Sequence, residues 1–191
     1  MRYFFRGMLL IAGFWLGACS GPHEAPYHNT DISGSGATAD LLNPGKAVVV
    51  SIPIDGVYRQ TTYAGSGRDV AQRTAAAFSH YAQRAEIIFD TFEGQEELLR
   101  AARRANAGYL VVPRIIHWEP RKTGWALIPA QIDVSLEVIN TETGREVRST
   151  VLEGRNDKMS TSPNDIDTMY STMIDSYAAG LYGAKAATTI H

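Results

Sequence analysis

Gln131-Ile132-Asp133-Val134-Ser135-Leu136-Glu137-Val138-Ile139 alternates apolar and polar side chains with a period of two. Successive side chains of an extended chain point to opposite faces. Ile132, Val134, Leu136 and Val138 therefore share one face, and Asp133, Ser135 and Glu137 share the other. Asn140-Thr141-Glu142-Thr143-Gly144 then reads as a hairpin turn, and Glu146 to Leu152 as the returning strand. The centre of the fold is thus an antiparallel pair with one buried face.

Upstream the pattern changes. Ala47 to Pro53 is nearly continuous in apolarity and suits a strand covered on both faces. Ser66-Gly67-Arg68-Asp69 reads as a helix start with a capping pair, and Val70, Thr74, Phe78 and Tyr81 follow at helical spacing. Ala85 to Phe89 is a second short strand. Gln95 to Asn106 is a second helix, with Leu98, Leu99, Ala102 and Ala105 on one side and Gly108 as its stop. Tyr109 to Trp118 is the longest strand. Pro113 removes a ladder donor within it, so an edge segment or a bulge is expected nearby. Downstream, Ser162-Pro163-Asn164-Asp165 opens a last helix, with Pro at its first position. Its stripe of Ile166, Met169, Tyr170, Met173, Ile174, Tyr177 and Leu181 should lie on the sheet. The order is β-α-β-α-β-β-β-α. The two crossovers imply parallel pairing at the start. The expected fold is α/β (α+β): a single mixed sheet with helices packed on it, in one globular domain over residues 45–183, with a disordered tail at 184–191.

The N-terminus carries an address. Arg2 and Arg6 precede a short apolar run from Gly7 to Trp15, well below the roughly 20 residues a spanning helix needs. It reads as a signal-peptide core, so residues 1–18 form a signal peptide. Leu16-Gly17-Ala18-Cys19 resembles a lipobox, which makes Cys19 the lipidated first residue of the mature chain. Cys19 is the sole cysteine, and a thioether to a lipid removes the hazard of a free thiol in an oxidising compartment. The likeness to lipoproteins implies acyl chains such as palmitate. It also implies, through Ser20 rather than Asp after the Cys, the outer membrane with the domain facing the periplasm. Residues 19–44 lack a hydrophobic period and hold Ser33-Gly34-Ser35-Gly36, as a flexible tether would. Removing residues 1–18, which carry two Arg and no acid, takes the chain from 191 to 173 residues and its charge from −2 to −4. A mildly acidic chain has no basic excess for nucleic acid.

The stretch from Ala101 to Glu153 resembles a family. Ala107-Gly108-Tyr109-Leu110-Val111-Val112-Pro113, Ile116-His117-Trp118-Glu119, Trp125, Ile128-Pro129 and Ile132-Asp133-Val134 are similar to a set of Gram-negative lipoproteins grouped under a domain of unknown function. The resemblance implies a fold and a location, and no activity. A helix leading into Tyr-Leu-Val-Val, with a hairpin behind it, also resembles three wider groups. These are the amino-terminal domain of the Tol-system β-propeller protein, the curli-secretion lipoprotein, and the lipoprotein activator of a penicillin-binding protein. Functions graft freely onto such folds.

Three features compete as sites. His117 and Glu119 lie two apart on a strand and share a face, as a metal or general-base site would begin. The sequence offers no evident third partner, no HExxH and no paired cysteines. A hydrogen-bonded strand-end His is the plainer reading, and neither a metal nor another cofactor is expected. Gly65-Ser66-Gly67-Arg68 before a helix suits either a phosphate cradle or a turn with its N-cap; the Walker lysine is missing. No Gly-x-Ser-x-Gly elbow exists. The third feature is the segment Trp118 to Pro129, too long for a tight hairpin loop. Trp118, Arg121, Lys122 and Trp125 are its candidate binding residues, since Trp and Arg are enriched at hot spots. The alternative is that both Trp cap the end of the core.

These readings converge on a non-enzymatic, lipid-anchored envelope lipoprotein. It would meet the membrane through Cys19 and bind a protein or envelope component through Trp118–Pro129. Two alternatives stay open: an oligomeric secretion or envelope-assembly component, and a hydrolase using His117 and Glu119.

Overall fold

The fold is described from a computed structural model, which covers residues 28–30, 41–88, 94–120, 130–155 and 165–184. The signal peptide, Cys19 and residues 185–191 lie outside the described residues.

Eight strands and three helices are present among these residues: β1 (His28–Thr30), β2 (Val48–Ser51), β3 (Val57–Tyr58), β4 (Thr61–Thr62), α1 (Ser66–Ser79), β5 (Ala85–Ile88), α2 (Gln95–Arg104), β6 (Tyr109–Glu119), β7 (Gln131–Asn140), β8 (Glu146–Arg155) and α3 (Asp165–Leu181). The main sheet runs β1-β8-β7-β6-β2-β5, and β3 pairs with β4 in a small hairpin. β2 pairs in parallel with both β5 and β6; the other pairs of the sheet are antiparallel. The mixed sheet and its packed helices are as the sequence implies. Additions are β1, which arises from the segment read as tether, and the β3–β4 hairpin.

The chain leaves β2 in one direction to reach β5 and returns past it to β6. Crossovers of one hand then place their helices on opposite faces. Accordingly Val48 and Val50 pack in the main cluster with α1 and α3, while Val49 packs with α2. All three valines are 2% exposed or less. The continuous apolar run of β2 follows from this double cover. β7 behaves differently. Ile132, Val134, Leu136 and Val138 are fully buried on the α1–α3 face, while Gln131, Asp133, Ser135 and Glu137 are half-buried on the other. On that second face α2 covers only the end of the sheet that carries Val49, Leu110, Val112 and Ile139.

α3 buries every residue of its apolar stripe: Ile166, Met169, Tyr170, Met173, Ile174, Tyr177 and Leu181. Gly154 of β8 admits Met169 and Met173, because a Cβ there would sit 2.9 Å from their side-chain atoms. Pro113 also meets its expectation. β2 pairs with β6 only as far as Val111, so Pro113 lies where β6 has β7 as its one sheet partner. A bulge follows between Ile115 and His117.

Two helix boundaries differ from the sequence reading. Ser66 and Asp69 form no capping pair. Gly65, at φ 91°, is the N-cap, and the Ser66 Oγ instead accepts the Gly56 N–H at 2.8 Å. Gly108 is not the stop of α2. Asn106 adopts the left-handed conformation, at φ 52°, and the Ala107 N–H returns to the Ala102 carbonyl. The β7–β8 turn is an Asx turn: the Asn140 Oδ1 accepts from the amides of Glu142 and Thr143, and Gly144 closes it at φ 69°.

Candidate functional site

The described candidate residues gather at the end of the sheet where β2, β6 and β8 finish and β1 and β7 begin. Cross-strand register sets one row there: His117 opposite Asp133, Asp133 opposite Glu153, Glu153 opposite His28. On the β6 side the row continues into the β3–β4 hairpin, where the Tyr58 ring meets the His117 ring edge-on at 5.8 Å.

His117 and Glu119 are brought together. The Nε2 of His117 lies 3.1 Å from the Oε2 of Glu119, and Glu119 is 8% exposed. Gln131, opposite Glu119, donates to Asp133 at 3.1 Å and accepts from Arg155 at 3.2 Å. These contacts tie polar groups to one another across the uncovered sheet face. Among the described residues, no group of three His, Cys, Asp or Glu side chains could hold a metal ion. The pair is a strand-end His bonded to a largely buried carboxylate.

Trp118 is a core residue. It is 6% exposed and sits in the main cluster. Gly56 lies flat against it; a Cβ there would stand 2.5 Å from the Trp118 Cβ. An indole so enclosed fits the alternative that Trp118 caps the end of the core. Arg121, Lys122 and Trp125 lie outside the described residues. The ends of their loop are fixed, because Glu119 and Gln131 are directly opposite in the β6–β7 register.

The helix start at Gly65-Ser66-Gly67 is already occupied by the chain itself. The Asp55 carboxylate accepts the Gly65 N–H at 3.0 Å and the Gly67 N–H at 2.8 Å. A carboxylate on these amides satisfies the donors and the dipole that a phosphate would have used. The turn-and-cap reading therefore holds, with Asp55 rather than Ser66 as the capping side chain. Nothing local in the sequence marked Asp55, since it reaches the helix across the β3–β4 hairpin.

The opposite end of the sheet carries an open groove of about 560 Å³ between Lys46, Gln83, Arg103, Asn106 and Glu142. Its charged groups are engaged in the fold: Arg103 Nε donates to the Thr141 carbonyl at 2.6 Å, and Lys46 lies 3.9 Å from Glu142. No described helix is long and apolar enough to cross a membrane.

Comparison with known proteins adds the following. No curated protein matches the chain in sequence. In fold it is similar to PelC from Paraburkholderia phytofirmans, solved as a dodecamer. That match is 16% identical with a TM-score of 0.60, and covers 84% of this chain and 98% of that one. A second PelC dodecamer structure from the same organism matches at 16% identity and TM-score 0.58, over 78% and 96% of the two chains. The C-terminal domain of LpoB from Salmonella enterica is similar at 10% identity and TM-score 0.45, over 62% and 88%. At such identities these are likenesses of fold. In sequence, the chain belongs to the family described as a domain of unknown function (DUF4823), whose model it matches over residues 40–181.

Proposed function

We propose that this chain is a lipid-anchored envelope lipoprotein that acts by binding rather than by catalysis. Cys19 anchors it to the outer membrane with the domain in the periplasm, and the loop over residues 118–129 engages a protein or envelope component through Arg121, Lys122 and Trp125. The observation that carries this reading is the footing of the loop. It joins the two strands paired in register from Tyr109↔Asn140 to Glu119↔Gln131. Loops held on such a rigid base commonly carry function. The test is Arg121→Ala with Trp125→Ala in the full chain, with crosslinked capture of partners from cells and thermal melting of the purified protein. Loss of the captured partner with an unchanged melt supports the reading. Retained capture with a lowered melt would make the loop a core cap.

A second reading has its own observation. Over 84% of its length the chain shares its fold with PelC, which is solved as a dodecamer. An assembly component that associates with copies of itself would account for that likeness. Native mass of the detergent-solubilised lipoprotein separates the two readings: a monomer removes the second, a discrete ring-sized species favours it.

A further inference from the structure

We infer that the rim of the domain carrying Ile54, Val57 and Ile116 rests on the surface of the membrane in which Cys19 is anchored. The inference depends on the lipidation of Cys19 proposed above. Its first support is exposure. Ile54 is 90% exposed, Val57 55% and Ile116 60%. Among the described residues the other large exposed apolar side chain is Leu41, which sits beside Gly183 at the far end of the molecule. The three belong to one neighbourhood. Ile54 lies two residues before Gly56, which packs on Trp118, and Val57 directly after it; Val57 precedes Tyr58, whose ring meets that of His117; Ile116 forms the bulge next to His117.

The second support is where the chain from the anchor arrives. His28 begins β1 opposite Glu153, in the same cross-strand row as His117. Three strand spacings of about 4.8 Å put His28 roughly 15 Å from His117 across the sheet. His28 stands nine residues after Cys19. However they are arranged, nine residues span at most about 32 Å. Without β1 the domain would begin at Leu41, 22 residues after Cys19, with a reach of about 75 Å in any direction. Pairing β1 to β8 therefore both shortens the leash and selects the end of the domain that faces the bilayer. That end carries the apolar rim, while the opposite end presents the polar Thr141–Gly144 turn. Arg59, over the Tyr58 ring at 5.2 Å, and Arg68, in the first turn of α1, are exposed beside the rim. They suit lipid phosphates, as cations flanking an interfacial apolar face commonly do.

The test uses the full chain, processed and lipidated in a Gram-negative host and reconstituted in vesicles of phosphatidylethanolamine and phosphatidylglycerol. With Cys19 acylated, Ile54→Cys supplies a unique thiol for an environment-sensitive fluorophore; Glu142→Cys at the opposite end is the control. Nitroxide-bearing lipids should quench the label at 54 at least about threefold more than that at 142, and aqueous iodide should do the reverse. Asn29→Pro with Thr30→Pro removes both neighbouring amides of β1, one of which must point at β8, and should abolish the difference. Equal quenching at the two positions overturns the inference. So does protection at 54 that grows with protein density, which would mark a second copy as the occupant, or that needs an added envelope extract, which would mark a protein. Labelled palmitate keeps the two proposals apart. Palmitate on Cys19 with an iodide-accessible label at 54 leaves the anchor standing and sinks the membrane contact. No palmitate ends the anchoring reading and this one with it.

Discussion

The buried hydroxyl pair between α1 and α3 lends itself to a double-mutant cycle. Thr74 is 0% exposed and Tyr170 1%, and their oxygens lie 2.7 Å apart. The Thr74 Oγ1 also donates to the Val70 carbonyl at 2.7 Å. Its single proton is therefore committed, and the Tyr170 hydroxyl must donate to Thr74. Tyr170→Phe removes that donor and leaves a Thr oxygen that still keeps its bond to Val70, at a cost of about 1 kcal/mol. Thr74→Val strands a phenol proton in the core, at about 2 kcal/mol. The double variant leaves neither group stranded. It should cost about 1 kcal/mol less than the two single changes together. For a domain of this size each kcal/mol lowers Tm by about 3 °C. Urea unfolding followed by circular dichroism gives the four stabilities. Additivity within error would show that the two hydroxyls do not bond, and would leave Arg73, which reaches Ser171 at 2.8 Å and Asp167 at 3.4 Å, as the polar link between α1 and α3.

Three further outcomes are expected. Met173→Asp puts a charge at a position 5% exposed and pressed against Gly154; it should cost about 3 kcal/mol or more, and a cooperative, unweakened melt would mean the stripe faces outward. Gly67→Ala drives a Cβ to 2.2 Å from the Pro53 carbonyl oxygen and should cost about 2 kcal/mol or more, against a small effect for Gly94→Ala, which meets nothing. Burial holds the Tyr170 phenol above its ordinary value and pushes that of Tyr182 up to about 12, with Tyr109 adding to the latter. The unfolded chain then releases these protons first, so stability should be unaffected below pH 10, fall as pH rises from 10 towards 12, and fall less steeply in Tyr170→Phe, as urea midpoints across that range will show.

The parts of the fold written in side-chain periodicity were legible. The α3 stripe is buried residue for residue, β7 alternates as its sequence does, and Pro113 lies where β6 has lost one sheet neighbour. What the sequence hid depends on backbone or on distant partners. β1 has no apolar pattern to announce it, because its pairing with β8 is made by main-chain groups any residue carries. Asp55 caps a helix ten residues on, across a hairpin that four strand residues define. Trp118 looked the same as a core cap or as a contact residue until Gly56 was seen against it. The pairing of His117 with Glu119 followed from their spacing, but the burial of that carboxylate came from the surrounding strands.

The two apolar clusters are unequal, and that inequality sets a gradient of local stability. Among the described residues seven buried side chains hold α2 to the sheet, and only Leu99, Ala101 and Ala102 of the helix itself are buried. The cluster beneath α1 and α3 is far larger and spans β2, β6, β7 and β8. Units with few buried contacts open at free energies below that of global unfolding. α2 can therefore lift away while the sheet beneath it stays intact; β5 is an edge strand bonded on one side, but its Ala85 and Ile87 pack on the larger cluster. Amides of α2 then exchange through this partial opening, and those of β6, β7 and α3 only when the whole domain melts. Of the three described helices, α2 is the one a protease would enter first.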